Sequence, residues 1–212
     1  MPGLTRRSAI LTLSGAILAV PTMSRGVLGQ TDDISKEMIL NDPAAPVGGN
    51  LKGDLTIVNF TDYNCPFCKK VAPILVRVIK EDGNIRHVYK DWPVIRPTSI
   101  DGAQLAIAAK YQGKYEIAHD ALMKIPGSRV LREQMRTGLQ SAGIDMQRLD
   151  ADLVSRRDDI LSLVKRNMAQ ADSIGLTGTP SFLVGPYRTS TLDYAGFKQI
   201  VADARAMQAQ TQ

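Results

Sequence analysis

The chain has 212 residues, 44% of them hydrophobic and 5% aromatic, with a formal net charge of +5. That is enough for one domain with an insertion and a real core. The charge gives no footing to a nucleic-acid binder. Arg6, Arg7 and Arg25 account for three of the excess positive charges, and no basic tract is interleaved with aromatic residues.

In chain order, the first 29 residues read as an export signal. Arg6-Arg7 form a basic start, the apolar run Ala9–Val20 follows, and Val27-Leu28-Gly29 suits cleavage before Gln30. The run is shorter than the roughly 20 residues needed to span a bilayer as a helix. Thr5 to Leu11 resembles a twin-arginine signal, with Ala9 where a larger apolar residue is usual. Residues 31–47 are polar. A short helix is expected over Asp33–Leu40, and Pro46-Val47-Gly48-Gly49 reads as a linker or turn. Strands are expected at 54–61 and 85–91, with a helix between them that starts at Cys65 and stops near Asp82-Gly83-Asn84. From Thr98 to Ile174 the pattern is helical throughout. Ser99 is placed to cap the first helix of this block and Asp145 a later one. Ser181–Val184 is strand-like, Gly185-Pro186 a turn, and Tyr187–Thr191 a closing strand. A last helix is expected over Tyr194–Met207, with Gln208–Gln212 frayed.

Cys65-Pro66-Phe67-Cys68 contains the only two cysteines. The loop they would close is too small to staple a fold. They can switch between dithiol and disulfide, or grip a soft metal. A thiol in the first turn of a helix faces unpaired N–H groups and the positive end of the dipole, which favour the reactive thiolate. A cysteine pair kept as the only thiols of an exported chain meets an oxidising environment, so the pair is expected to work rather than only to hold structure. For zinc, two cysteines supply half a tetrahedral shell, and the chain's histidines, His87 and His119, lie on a strand and a distant helix. Cu(I) is suited by two thiolates alone.

Several ordered segments carry a family resemblance. They are Asn41-Asp42-Pro43, Asp62 to Cys68, Tyr89-Lys90-Asp91-Trp92-Pro93, Gly113-Lys114-Tyr115 through Leu122, and Gly175 to Phe182. Over residues 41–205 the chain resembles the DsbA-type thioredoxin-fold oxidoreductases, and within them the suppressor-of-copper-sensitivity C branch. The resemblance implies an α/β thioredoxin fold with an inserted all-helical domain. It divides the chain into an N-terminal segment at 30–47, a discontinuous thioredoxin-fold domain at 48–96 and 175–208, and a helical insertion at 97–174.

It also implies the chemistry. Cys65 is the nucleophile, expected at the exposed edge of the helix start. Cys68, deeper, resolves the mixed disulfide. Pro66 suits the first helical turn because its missing N–H would be unpaired there. Phe67 replaces the histidine of the most oxidising relatives, so Cys65 is expected to be acidic but less so than theirs. Pro180 is expected to follow Thr179 in cis beside the cysteines. Thr179 keeps a backbone N–H and C=O that could pair with an extended substrate. Asn59 departs from the pattern, because relatives carry there a buried glutamate that accepts a proton near the resolving thiol. Lys90 is read either as a neighbour of Asn59 that manages charge or as a solvated surface lysine. Tyr63 and Trp92 are expected to add an apolar rim.

The function implied is a periplasmic protein thiol:disulfide oxidoreductase that forms, isomerises or reduces disulfides, with no cofactor. Its partners would be unfolded or misfolded exported proteins and a membrane thiol redox partner, with no nucleic acid. A monomer is favoured, since residues 30–47 are short for an association stalk. The alternative is a Cu(I)-binding copper-tolerance protein using Cys65 and Cys68; no Met-x-x-Met or His-rich stretch accompanies it.

Overall fold

A computed structural model describes residues 34–210, so the expected export signal lies outside the described residues. The elements are α1 (Lys36–Asn41), β1 (Val47–Gly49), β2 (Leu55–Thr61), α2 (Pro66–Asp82), β3 (Ile85–Asp91), α3 (Pro97–Lys110), α4 (Tyr115–Lys124), α5 (Arg132–Ser141), α6 (Met146–Ser155), α7 (Arg157–Ser173), β4 (Ser181–Val184), β5 (Tyr187–Thr189) and α8 (Tyr194–Gln210). Among the described residues no helix is long and apolar enough to cross a membrane.

The strands form one mixed sheet in the order β1-β3-β2-β4-β5. β2 and β3 run parallel, joined by the crossover helix α2, and the other neighbours are antiparallel. β2 and β3 are both covered on both faces, as their burial shows; β2 is largely apolar, whereas β3 also buries His87, Lys90 and Asp91. Their side chains alternate between faces. Leu55, Ile57, Phe182 and Val184 pack on Val71, Leu75 and Val78 of α2 and Phe197, Val201 and Ala204 of α8. Val58, Phe60, Val88 and Trp92 pack on the other side against Ile39 and Ala171. A third core gathers the helices α3–α7 and reaches Tyr63, Cys65, Cys68 and Tyr89. The helical block therefore closes directly over the cysteine-bearing end of the sheet.

Local signals explain most boundaries. Gly83 ends α2 in the left-handed conformation (φ 71°), and its N–H donates to the Ile79 carbonyl. Asp145 caps α6 by accepting from the Arg148 N–H. α3 starts earlier than Ser99 suggests. Pro97 takes the first turn, and the Ser99 hydroxyl accepts from the Arg96 N–H at 3.2 Å from inside the helix. Val47–Gly49, expected as linker, is instead an edge strand, because it pairs with Arg86–Val88 of β3. β5 stops at Thr189, and α8 continues through Gln208–Gln210, which were expected to fray. A Cβ at Gly102 would stand 2.8 Å from the Tyr63 ring, so a glycine there is what lets α3 approach the loop before Cys65.

Lys90 is fully buried, against the reading of a surface lysine. Its Nζ lies 3.8 Å from Asp42 Oδ2 and donates to the Met38 carbonyl at 3.3 Å. Arg166 of α7 forks onto the same carboxylate, at 2.7 and 3.2 Å. Burial works to raise the Asp42 carboxyl, but Arg166, the Ala44 N–H and the Lys90 charge outweigh it and hold it below its usual range. This carboxylate ties the segment after α1 to β3 and α7. Removing one partner of a buried ionic group strands the others. Asp42→Ala is expected to lower unfolding stability by about 3–5 kcal/mol, read as a fall in the urea midpoint at unchanged slope.

Candidate active site

The site forms where β2 hands over to α2. Cys65 is the N-cap of α2, with extended backbone (φ −81°, ψ 116°), and Pro66 occupies the first turn. The Cys68 N–H donates to Cys65 Sγ at 3.3 Å, so the sulfur caps one of the helix's unpaired donors. The Cys65 thiol donates to the Thr179 carbonyl at 3.2 Å. The Thr179–Pro180 bond is cis, and β4 begins at the next residue. Both cysteines are free thiols. The geometry thus brings together Cys65, Pro66, Phe67, Cys68, Thr179 and Pro180.

The two sulfurs are electrostatically unlike. Cys65 is pulled down from 9.0 to about 6. The largest cause is the hydrogen bond from the Cys68 thiol. Burial opposes it, and Thr179 and the Cys68 and Phe67 N–H groups add to the pull. Cys68 is pushed far above the ordinary thiol value, first by burial and then by the neighbouring Cys65 sulfur. The Thr61 hydroxyl and the Asp62 N–H pull the other way by hydrogen-bonding the Cys68 sulfur. At neutral pH one sulfur is a thiolate and the other a thiol, which is the arrangement of an attacking group and a resolving group.

Cys65 does not sit at an exposed edge. It is 1% accessible, the same as Cys68. The helical block and the Thr179 segment cover it, and burial weighs less on its charge than its hydrogen bonds do. Phe67 beside it is 59% exposed. Tyr63 and Trp92, expected to form an apolar rim, are both buried in the core. Exposed apolar side chains on the segments around the cysteines include instead Phe67, Val94, Ile95 and Leu131.

Asp62 and Asn64 hold this arrangement, and neither was singled out for a role from sequence. Asp62 Oδ1 accepts from the Asn64 N–H and the Ser99 hydroxyl, both at 2.7 Å. Its Oδ2 accepts from the N–H groups of Val94 and Ile95 at 2.8 and 2.9 Å. Asn64 donates to Thr98 Oγ1 at 3.1 Å and accepts from the Val130 N–H at 2.8 Å. Lys69, in the first turns of α2, donates to the carbonyls of Ile125 and Gly127. The signal available was the pair of short polar residues flanking Tyr63, a composition that favours side-chain-to-backbone turns.

Asn59 is buried on the α2 face of β2, in register with Tyr89 and Phe182, and its Oδ1 has no partner. Lys90 pairs in register with Phe60 and so points to the opposite face, where Asp42 holds it. The expectation that Lys90 assists Asn59 is therefore corrected. His87 and His119 are buried, and among the described residues no group of three or more His, Cys, Asp or Glu is placed to hold a metal ion.

If the Cys68 thiol is the main support of the Cys65 thiolate, its removal should show in titration. Thiolate absorbance of the reduced protein is expected to rise with a midpoint near pH 6. In Cys68→Ala the midpoint should move toward that of an ordinary thiol. An unmoved midpoint would assign the effect to the helix start alone.

The comparisons with known proteins agree with this geometry. A family model described as thioredoxin matches residues 41–203. A thioredoxin-like oxidoreductase from Silicibacter pomeroyi is 34% identical, with a TM-score of 0.76 over 81% of this chain and 98% of that one. The catalytic domain of Proteus mirabilis ScsC is 24% identical, with a TM-score of 0.73 over 80% and 94%. The thiol-disulfide exchange protein alpha-DsbA2 from Wolbachia pipientis is 23% identical, with a TM-score of 0.74 over 79% and 90%; at these identities the last two show likeness of fold. Curated relatives include the Na(+)/H(+) antiporter NhaA 3 of Salinispora tropica, 28% identical over 193 residues. The chain spans only 28% of that protein's length. The chain belongs to the thioredoxin family and has the architecture of its DsbA-like thiol–disulfide oxidoreductases.

Proposed function

We propose that the protein catalyses thiol–disulfide exchange in exported polypeptides outside the cytoplasm, through Cys65 and Cys68. The observation that carries this reading is the opposed acidity of the two sulfurs. Cys65 is lowered to about 6 and Cys68 is raised, with Cys65 Sγ held against the Thr179 carbonyl. The Cys65 thiolate attacks a substrate disulfide and forms a mixed disulfide. Cys68 then attacks Cys65 Sγ, closing the Cys65–Cys68 disulfide and expelling the substrate as a thiolate. Run in reverse, the oxidised pair donates its disulfide to a reduced substrate. A Cys65 value near 6 is well above the roughly 3.5 of the most oxidising thiols of this kind. That fits forming, isomerising or reducing disulfides as the redox partner dictates.

Phe67, Val94, Ile95 and Leu131 offer exposed apolar surface on the elements that Asp62 and Asn64 gather around the cysteines. Unfolded or misfolded chains, which expose apolar side chains, fit such a surface. The Thr179 backbone beside Cys65 is placed to pair with an extended segment of the same chain. The signal-like N-terminus supports export to the periplasm, as does likeness to a periplasmic thioredoxin-like protein from Salmonella enterica. A membrane thiol protein would then reset the pair. On this reading 48–96 with 175–208 forms the redox domain, and 97–174 is the insertion that roofs it.

Refolding of a scrambled disulfide protein and reduction of insulin test the proposal. The wild type should accelerate at least one of them, and Cys65→Ser should fall to the uncatalysed rate. Cys68→Ala should accumulate a mixed disulfide that a reductant dissolves. The rate of the first attack should be flat above about pH 7 and fall tenfold per unit well below pH 6, because only the thiolate reacts. Competition for Cu(I) against a chelator, in wild type and Cys65→Ser, separates this function from copper buffering. Tight Cu(I) binding without exchange activity would favour the latter.

A further inference from the structure

Residues 125–131 join α4 to α5 beside the cysteine end of the molecule. Pro126 and Gly127 break the helical pattern there, and Gly127 takes the left-handed conformation (φ 84°). Among the described residues, 126–130 form no backbone–backbone hydrogen bond. Backbone groups without such partners turn to side chains or water. Here side chains bond four of them. The Lys69 amino group donates to the Ile125 carbonyl at 2.7 Å and to the Gly127 carbonyl at 2.6 Å. Arg96 Nε donates to the Ser128 carbonyl at 2.8 Å. Asn64 Oδ1 accepts from the Val130 N–H at 2.8 Å.

All three side chains belong to the site. Asn64 immediately precedes Cys65 and Lys69 immediately follows Cys68. Arg96 follows the backbone that Asp62 holds at Val94 and Ile95. The segment is therefore fastened before and after the two cysteines, and it runs along the first turn of α2 as a strap. Val130 is buried in the same packed core as Cys65 and Cys68. Lys69 makes two of the four bonds, and makes them where α4 ends. Ile125 is the C-cap of that helix. Carbonyls at a helix end lack helical partners and carry the negative end of the dipole, so an amino group suits them. Burial works to lower the Lys69 ammonium, while the charges of Asp62, Cys65 and Cys68 work the other way.

Cys65 is 1% accessible, so part of its cover must move before a disulfide reaches Sγ. The two parts of that cover are held differently. The Thr179 segment leads into β4, which is laddered to β2 on one side and β5 on the other. The strap has no ladder. Segments with few backbone hydrogen bonds open at the lowest free energy. We propose that Lys69 is a positioning residue for thiol–disulfide exchange: it fastens the 125–131 strap over the cysteine end and so sets how often Cys65 becomes reachable. The inference rests on the exchange reading above. Attack on a client disulfide then proceeds from molecules whose strap has lifted.

Alkylation of the reduced protein by iodoacetamide reads access to Cys65 without requiring exchange. At pH 8.5, far above the Cys65 value of about 6, ionisation does not limit the rate. Lys69→Met should raise the alkylation rate at least about fivefold in the folded protein, and Lys69→Arg, which keeps the donors, should stay within about twofold of wild type. A role in stability alone would lower the urea midpoint of Lys69→Met and leave its alkylation in water at the wild-type rate. Hydrogen exchange of the wild type decides the matter if Lys69→Met fails to fold. The Val130 N–H should then exchange through an opening of lower free energy than global unfolding, with the same protection factor as Cys65 alkylation. The proposal is overturned by an unchanged rate in folded Lys69→Met, by Lys69→Arg reacting as fast as Lys69→Met, or by a Val130 N–H that exchanges only on global unfolding. A wild type that is alkylated yet forms no mixed disulfide with a peptide disulfide would instead overturn the exchange reading itself.

Discussion

A buried carboxylate that accepts four hydrogen bonds organises the cysteine site. Asp62 joins the loop before Cys65, the backbone at Val94 and Ile95, and the first turn of α3. Each bond is made by a neutral donor, so convergent dipoles meet the carboxylate. Three separate parts of the chain are held in one place by it. Asn64 extends the same network to Val130 and so to the far side of the helical block. The position of Cys65 at the start of α2 is therefore set from both the sheet and the helices.

On that platform the two sulfurs differ for reasons of place alone. They are one helical turn apart and chemically identical. One receives the donors of the helix start and the thiol of its neighbour; the other is pushed into the core and receives the negative end of the pair. The stabilisation of one thiolate is thus also the destabilisation of the other. Cys65 is nonetheless covered. On the proposed reading, a substrate must displace part of that cover before it reaches the sulfur.

Much of the fold was legible in the sequence because its signals are local. The apolar run of β2, the glycine stop after α2 and the cap at Asp145 each sit where the pattern puts them. β1 was not legible, since Val47-Gly48-Gly49 has no strand signal of its own and owes its form to pairing with β3. In the site, the cysteines and the cis Thr179–Pro180 bond were readable from spacing and resemblance. Asp62 and Asn64 were not, because their importance comes from burial and from partners distant in sequence, and each looks in sequence like an ordinary polar residue of a turn. Lys90 shows the same limit. Its neighbour in sequence is Asp91 on the site's face, yet one step along a strand carried it to the opposite core and to Asp42. Tyr63 and Trp92 went inward for a similar reason, drawn into the helical core and the second sheet face.

The two outer strands of the sheet are only three residues long, Val47–Gly49 and Tyr187–Thr189. On the proposed reading the clients are unfolded chains, which carry segments seeking an unpaired strand to join. Edges this short offer few free backbone groups, and one of them ends in a glycine of left-handed conformation, Gly49. Sheet edges of this length leave another chain little backbone to pair with, so the sheet resists growth by strand addition.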